Sequence, residues 1–545
     1  LTSKTLTRLG PGLVVFIVSL IYFVSYINYG LAYDEGYLLD GVERILDGQV
    51  IYRDFHHTYA PGSFYLVAAM FKAFGHNILV ERFLFALLEA AKCMLAFLLV
   101  RTVTRSWFAY LAPVLMMVAP GPWHKVFFPA FGFLALYFVV LALARRPVWH
   151  LAAGIVAGLA AVFRQDVAGF AAVAGVVGLA LETARGRYGP IQAFRRLGLL
   201  AAGAALVIGP VLLYFYRVNA LGPMIHKITV DGMLDNMTNR LPFPGLLART
   251  AIDEPYLAYV LPVKAFFYLP FAVYALSLAM VVKALVARAW TERHTVLAVM
   301  FAASIMAFNQ SLWRSDVGHL LQTMQYVFLL LPVVLAQGCW FFVRRFGLVG
   351  GRAGALRAAL AAAAPLAVLW ATVACTAATT DPDLAARFQR EGLSVGDSEY
   401  VGSVLVKSGN TARLELPRAR IRVTPGEARF FSEIGRFLDT NTRPGEYVLA
   451  VPQLQTVYFL FDRRNPTRYA HYRRALSPLE ESRYIDDIVS HGTTYIFLTE
   501  PYEGARLGQT AEAFSEYARP VRNWILANYS PVGRIGWVQI LRKIQ

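Results

Sequence analysis

The sequence predicts an α-helical polytopic membrane protein of about eleven transmembrane helices, followed by a C-terminal extracytoplasmic α/β domain. Three observations lead there. Of 545 residues, 57% are apolar and only 16% charged, whereas soluble domains average roughly 25% charged. The apolar residues gather in runs near the length of roughly 20 that a bilayer crossing requires. From residue 377 onward that pattern gives way to short alternating strand and helix signals.

The charge balance follows the same reading. A net charge of +17 on a soluble chain suggests a nucleic-acid partner. Here Arg and Lys cluster between the apolar runs, as they do in cytoplasmic loops, so membrane lipid and not nucleic acid is the expected surrounding. The three cysteines, Cys93, Cys339 and Cys375, lie in or at the end of apolar segments with no CxxC spacing. They read as small apolar fillers, not disulfides or metal ligands. The first apolar run follows Lys4 and Arg8 in the manner of a signal peptide. No small-residue cleavage site follows, and it reads as a retained first helix.

Spans are expected at 11–29, 79–100, 106–120, 127–144, 149–163, 167–184, 198–216, 264–284, 294–309, 320–343 and 355–376. A shorter apolar stretch, 61–75, reads as a re-entrant or interfacial helix. With a cytoplasmic N-terminus, alternate loops carry Arg101/Arg105, Arg145/Arg146, Arg185/Arg187/Arg195/Arg196, Lys283/Arg288/Arg293 and Arg344/Arg345/Arg352/Arg357. This bias sets the orientation, and an odd number of spans leaves the tail outside. The domains expected are therefore 1–376, membrane-embedded with a first outer loop at 30–78, and 377–545, extracytoplasmic. In the tail, "GEYVLAV" and "TTYIFLTE" read as buried strands. "EARFFSEIGRFLD", "EESRYIDDIVSHG" and "AFSEYARPVRNWILANY" carry helical periodicity, with Gly492 as a helix stop. "VLVKSGNTARLELPRARIRV" reads as a hairpin turning at Gly409-Asn410.

The unusual polar groups then fall on the outer face. The first outer loop carries Asp34 and Glu35 directly at a span exit, followed by Leu38, Val42, Ile45 and Leu46 on one helical face. That amphipathic helix is expected to lie flat at headgroup depth. Asp34 suits a helix N-cap, which contributes about 1 kcal/mol and no chemistry, but an adjacent acid pair directly at a span exit is more than a cap requires. His56 and His57 on an extended segment point opposite ways, which favours hydrogen bonding over joint metal ligation. Arg53 with His56 suits a phosphate or a solvated loop, and Tyr59-Ala60-Pro61-Gly62 reads as a rigid break before the next helix. Further along, Lys125 beside Trp123 is a phosphate contact or an interfacial anchor. Arg164 and Asp166 either pair with each other or face a substrate. Arg314, Asp316 and His319 set a cation, an acid and a second donor at one span end, and Arg suits bidentate phosphate recognition.

Taken together, "YDEG", the following "YRDFHHTYAPGSFYL", about eleven spans and the outer C-terminal domain resemble the GT-C class of membrane glycosyltransferases. The likeness is strongest to glycosyltransferase family 39 and its bacterial relatives, among them protein O-mannosyltransferases and the lipid A aminoarabinose transferase. The tail stretch "FSEIGRFLDTNTRPGEYVLAVPQLQTVYFLFDRRNPTRY" is similar to the outer domain of bacterial members. The resemblance implies a bacterial inner-membrane enzyme that moves a sugar, with inversion, from a polyprenyl phosphate donor to an acceptor hydroxyl on a glycan, lipid or protein. It implies a catalytic carboxylate at Asp34, with Glu35 orienting the acceptor or sharing the role. Arg53, His57, Lys125, Arg164, Arg314 and His319 become candidates for the leaving phosphate, Arg314 foremost, with His56, Tyr59, Asp166 and Asp316 as further polar members. Many GT-C enzymes carry an acid in the second outer loop, and "PGPWHKVFFP" has none. A metal bridge between loops is therefore disfavoured, no residue is assigned as a metal ligand, and a divalent metal stays open. Two rivals remain: a transporter or flippase for lipid-linked sugar, and a non-catalytic envelope assembly protein. Transporters often carry internal repeats and mid-membrane charges; no repeat is visible here.

Overall fold

A computed structural model describes residues 3–31, 33–238, 240–246, 260–345, 353–378, 411–452, 454–472, 476–499 and 518–545. In chain order its helices are α1 (Ser3–Val24), α2 (Tyr33–Leu46), α3 (Gly62–Phe74), α4 (Ile78–Val103), α5 (Leu111–Val118), α6 (Phe127–Leu143), α7 (Val148–Phe163), α8 (Gln165–Ala184) and α9 (Pro190–Arg217). There follow α10 (Leu221–His226), a π-helical turn Lys227–Asp231, α11 (Gly232–Thr238), α12 (Leu261–Val286), α13 (Glu292–Trp313), α14 (Val317–Arg345) and α15 (Ala353–Ala378). The last third holds β1 (Ala412–Leu416), β2 (Ala419–Val423), α16 (Pro425–Asn441), β3 (Val448–Val451), α17 (Thr456–Leu460) and α18 (Pro478–Ser490). It closes with β4 (Tyr495–Thr499), α19 (Arg519–Asn528), β5 (Tyr529–Ile535) and β6 (Val538–Lys543).

Each of the eleven expected spans coincides with a helix. Among the described residues, seven of these helices are long and apolar enough to cross a membrane: those within Ile78–Val103, Trp123–Leu143, Gln165–Ala184, Pro190–Arg217, Leu261–Val286, Glu292–Trp313 and Val317–Phe341. The other four are shorter apolar helices, Gly10–Val24, Trp107–Val118, Val148–Phe163 and Ala363–Thr376. The short apolar stretch after Pro61 is α3.

The chain forms two compact units. The first comprises residues 1–25, 85–211 and 241–396. Its helices pack through small residues: Ala135, Ala157, Ala160 and Ala171 form one buried cluster joining α6, α7 and α8. A Cβ added to Gly154 would stand 2.0 Å from the Leu200 carbonyl oxygen, and one on Gly203 2.2 Å from that of Leu151. Gly158, one turn beyond Gly154, would meet the Ala204 carbonyl at 2.8 Å. The spacing Gly154-x-x-x-Gly158 thus lets α7 and α9 approach backbone to backbone, the packing available when lipid supplies no hydrophobic drive.

The second unit comprises residues 26–84, 212–240 and 397–545. Its four-stranded sheet has the order β3-β4-β6-β5, with β3 parallel to β4 and the remaining pairs antiparallel. One core face joins Leu449, Val451, Ile496, Leu498 and Leu541 of the sheet to Tyr484, Ile488, Val521 and Ile525 of α18 and α19. Capping boxes begin both long helices: Thr424 with Glu427 opens α16, and Ser477 with Glu480 opens α18. Each satisfies two N-terminal donors reciprocally. Gly492, at φ +60°, follows the end of α18, as expected.

The antiparallel β1–β2 hairpin pairs Leu416 with Ala419 and turns at Pro417-Arg418; the turn expected at Gly409-Asn410 lies outside the described residues. Strands β5 and β6 were not among the expected elements.

Candidate active site

In the second unit, the acid pair stands in the first turn of α2. Asp34 is half-buried and Glu35 fully buried. Glu35 is held by Arg82, from the first turns of α4, in a two-pronged ion pair: Nε donates to Oε1 at 2.7 Å and Nη2 to Oε2 at 2.6 Å. Planar guanidinium and carboxylate match in this geometry. The two adjacent acids therefore differ in burial, Glu35 being enclosed and Asp34 half-buried. A carboxylate in the first turn also complements the positive end of the helix dipole.

Helix α2 does not present the bare polar face that a surface-lying helix requires. Asp40 is buried and accepts from Arg44 Nε at 3.0 Å, while Arg44 Nη2 donates to the Thr467 carbonyl at 2.7 Å. Burial raises the Asp40 carboxyl above its ordinary range, and Arg44 offsets part of that rise. Gly36 and Gly41 explain the fit: an added Cβ would lie 2.5 Å from the Thr456 nitrogen and 2.7 Å from the Phe64 ring respectively. Protein covers most of this helix.

The histidine pair does separate as expected. The His56 backbone N–H donates to the Arg468 carbonyl at 2.6 Å, and its ring lies against Tyr469. His56 Nδ1 is 2.5 Å from Lys227 Nζ and 3.6 Å from Asp231 Oδ2. The His57 ring packs on Tyr37 and Phe64 with centroids 4.0 and 4.2 Å apart. Its Nδ1 accepts from the Tyr59 N–H at 3.2 Å, which puts the neutral ring's proton on Nε2. Among the described residues that buried Nε2 has no hydrogen-bond partner. Tyr59 stands at 5.3 Å from His57 and 6.1 Å from Tyr37, and His471 at 4.9 Å from Tyr37.

Arg53 is not joined to His56. It forms a two-pronged pair with Asp54, both contacts at 2.8 Å, and donates to the Val218 carbonyl at 3.2 Å. This pairing lowers the Asp54 carboxyl. Nearly half of the Arg53 side chain remains exposed, so a second anion can still reach it.

The first unit carries the remaining sequence-predicted residues. Arg164 Nε donates to Asp166 Oδ1 at 2.7 Å and Nη2 to Gln310 at 3.2 Å, with the guanidinium over the Phe128 ring. The fully buried Asp316 binds two cation-capable groups: Arg314 Nε at 3.0 Å and His319 Nδ1 at 2.9 Å. Burial alone would raise the Asp316 carboxyl; His319 and Arg314 outweigh it and hold it below the usual carboxylate range. Lys125 closes the 3-10 turn Trp123–Lys125, half-buried and within electrostatic range of His319. The loop before it is tied down from the spans: Lys92 Nζ donates to the Pro120 carbonyl at 3.0 Å and Gln325 to that of Ala119 at 2.7 Å. Among the described residues no group of three or more His, Cys, Asp or Glu side chains could hold a metal ion.

Sequence reasoning overlooked Arg82, Lys227 and Asp231. Arg82 sits inside a run read as a span, where an arginine near an end passes as a boundary marker. Lys227 and Asp231 have the i, i+4 spacing of one helical face, a visible signal whose partner His56 lies 171 residues away.

With its apolar helices, its covered loop helix opened by an acid pair and its small mixed sheet, the chain has the GT-C fold. The particular structures that share it include ArnT from Cupriavidus metallidurans bound to undecaprenyl phosphate, with a TM-score of 0.52 at 15% identity, covering 100% of this chain and 98% of that one. The apo state of the same ArnT gives 0.51 at 14% identity, covering 99% and 98%. No protein-family model matches the sequence, and no curated protein matches it.

Proposed function

We propose that the protein is an inverting glycosyltransferase of the bacterial inner membrane that takes a sugar from a polyprenyl phosphate and delivers it to an acceptor hydroxyl at the outer face. The observation that carries this reading is the asymmetry of the acid pair on a GT-C fold. Glu35 is buried and ion-paired with Arg82, and Asp34, one residue away, is half-buried and so within reach of solvent.

The chemistry follows from that asymmetry. An acceptor hydroxyl is a weak nucleophile at neutral pH. Asp34 accepts its proton as the hydroxyl oxygen attacks the anomeric carbon. The bond from that carbon to the phosphate oxygen breaks, and its electron pair leaves with the polyprenyl phosphate. Attack opposite the leaving group inverts the anomeric centre. Charge growing on the phosphate is stabilised by positioned cations and donors. Arg314 and His319, both fixed by Asp316, suit that role first, with Lys125, Arg164 and Arg53 as further cations and His57 as a neutral N–H donor. Glu35 orients the acceptor side by fixing the turn that carries Asp34, and His56, Tyr59 and Asp166 are polar wall. The acceptor is a cell-envelope glycan, a glycolipid or a protein, and the C-terminal domain stands on the periplasmic side with the N-terminus in the cytoplasm.

A proteoliposome experiment tests the class of activity. The purified protein is given synthetic undecaprenyl phosphate carrying a single hexose or pentose, with cell-envelope extract as acceptor. Transfer of the labelled sugar to an acceptor, leaving free undecaprenyl phosphate, is expected. Movement of the intact lipid-linked sugar between leaflets, without transfer, would establish a flippase instead.

A further inference from the structure

We infer that Arg82 is a positioning residue that sets where the proposed base, Asp34, stands; the inference rests on the glycosyltransferase reading above. One guanidinium serves three points of the chain. Its Nε and Nη2 hold the two oxygens of Glu35, and its Nη1 donates to the carbonyls of Ile27 at 3.0 Å and Tyr29 at 3.3 Å. Ile27 and Tyr29 belong to the segment that leaves α1; Glu35 is in the first turn of α2; Arg82 is near the start of α4. The exit of one helix, the beginning of the next and the beginning of a third are thereby fixed to one rigid planar group.

Arg82 and Glu35 are both buried. Glu81, the nearest competing acid, is fully buried, yet neither of its oxygens has a hydrogen-bond partner among the described residues. Among the described residues the Nε–Nη2 fork of Arg82 hydrogen-bonds Glu35 and not Glu81. Asp34 shares a peptide bond with Glu35, so a shift in the first turn of α2 moves Asp34 directly. Reactions that depend on a base within hydrogen-bond reach lose rate steeply when that base is displaced by about 1 Å. Lysine keeps the charge but lacks the planar fork, which makes Arg82→Lys a change of geometry more than of charge.

The test uses full-length protein in lipid nanodiscs. Turnover of a panel of synthetic undecaprenyl phosphates carrying single hexoses or pentoses is measured for wild type, Arg82→Lys and Asp34→Asn, together with backbone amide exchange across residues 27–38. The folded Arg82→Lys protein is expected to lose at least about tenfold in kcat with donor KM changed less than about twofold. Its amide exchange should rise in 27–38 and stay unchanged in β3, β4 and β6. A purely structural arginine would lower the folded yield while leaving kcat per folded molecule intact, and that result overturns the inference. So does unchanged exchange in 27–38. Full turnover by Asp34→Asn contradicts the glycosyltransferase mechanism itself, whereas full turnover by Arg82→Lys beside an inactive Asp34→Asn removes only the role of Arg82.

Discussion

At the scale of single residues, His57 shows how burial changes what a side chain can do. Its position in the first outer loop suggested a partner for phosphate. Burial, together with the nearby His471, holds its imidazole well below the ordinary value of 6.5. It therefore acts as a neutral N–H donor and not as a cation. The sign for stability follows. The unfolded chain takes up a proton near pH 6.5, and the folded chain refuses it until lower pH. The contribution of neutral His57 is complete above about 6.5 and lost as pH falls below it. The unfolding midpoint of the wild type should drop between about pH 7 and about pH 5 more steeply than that of His57→Phe, which packs among the same rings but cannot titrate. Equal slopes in denaturation curves would contradict this account of the ring. The Asp316 carboxyl is the counterpart: an acid kept ionised by Arg314 and His319 against its own burial. Neither behaviour is legible in sequence, because each depends on what surrounds the group and not on what it is.

At the scale of elements, α2 is where prediction and structure differ most instructively. Its apolar stripe was readable, and Leu38 and Val42 are indeed buried. The covered polar face was not readable. The carbonyl that Arg44 binds belongs to a residue 423 positions downstream, beyond any periodicity argument. Glycine gives the sharpest test of this seat. In an exposed helix, Gly→Ala stabilises by roughly 1 kcal/mol. At Gly36 the new methyl would meet the Thr456 backbone at 2.5 Å, and overpacking of this kind costs about 1–3 kcal/mol, occasionally more. Gly36→Ala should therefore lower the denaturation midpoint, and a midpoint that rises would mean α2 is not packed as described. The tail strands teach a related point. A hairpin closes at Pro417-Arg418, a turn not expected from the sequence. Strand β5 was missed because "YSPVGRI" is mostly exposed, contains proline and glycine, and shifts register between Pro531 and Gly533. An edge strand of that kind shows no alternation.

For the whole molecule, the sequence was most informative where solvent imposes the rule. Lipid tolerates few backbone arrangements, and each apolar run coincides with a helix; among the described residues seven of these helices are long and apolar enough to cross a membrane. It was least informative where helices meet: Gly154, Gly158 and Gly203 looked like scattered small residues and prove to be the contact between α7 and α9. The candidate site was legible as residue types at loop positions. Its internal logic was not, since Arg82 and Lys227 matter through partners distant in the chain. The functional proposal joins these levels in one statement: on a GT-C fold, the half-buried Asp34 takes the proton of an acceptor hydroxyl, beside Glu35 held by Arg82.

Mass spectrometry of cell-envelope glycans tests that statement most directly, comparing cells that carry the wild-type chain with cells that carry Asp34→Asn at equal membrane abundance. The account predicts that one hexose or pentose disappears from an envelope component in the variant while the polyprenyl-phosphate-linked sugar accumulates. An unchanged glycan profile with Asp34→Asn, in cells where deletion of the gene alters it, would contradict the account.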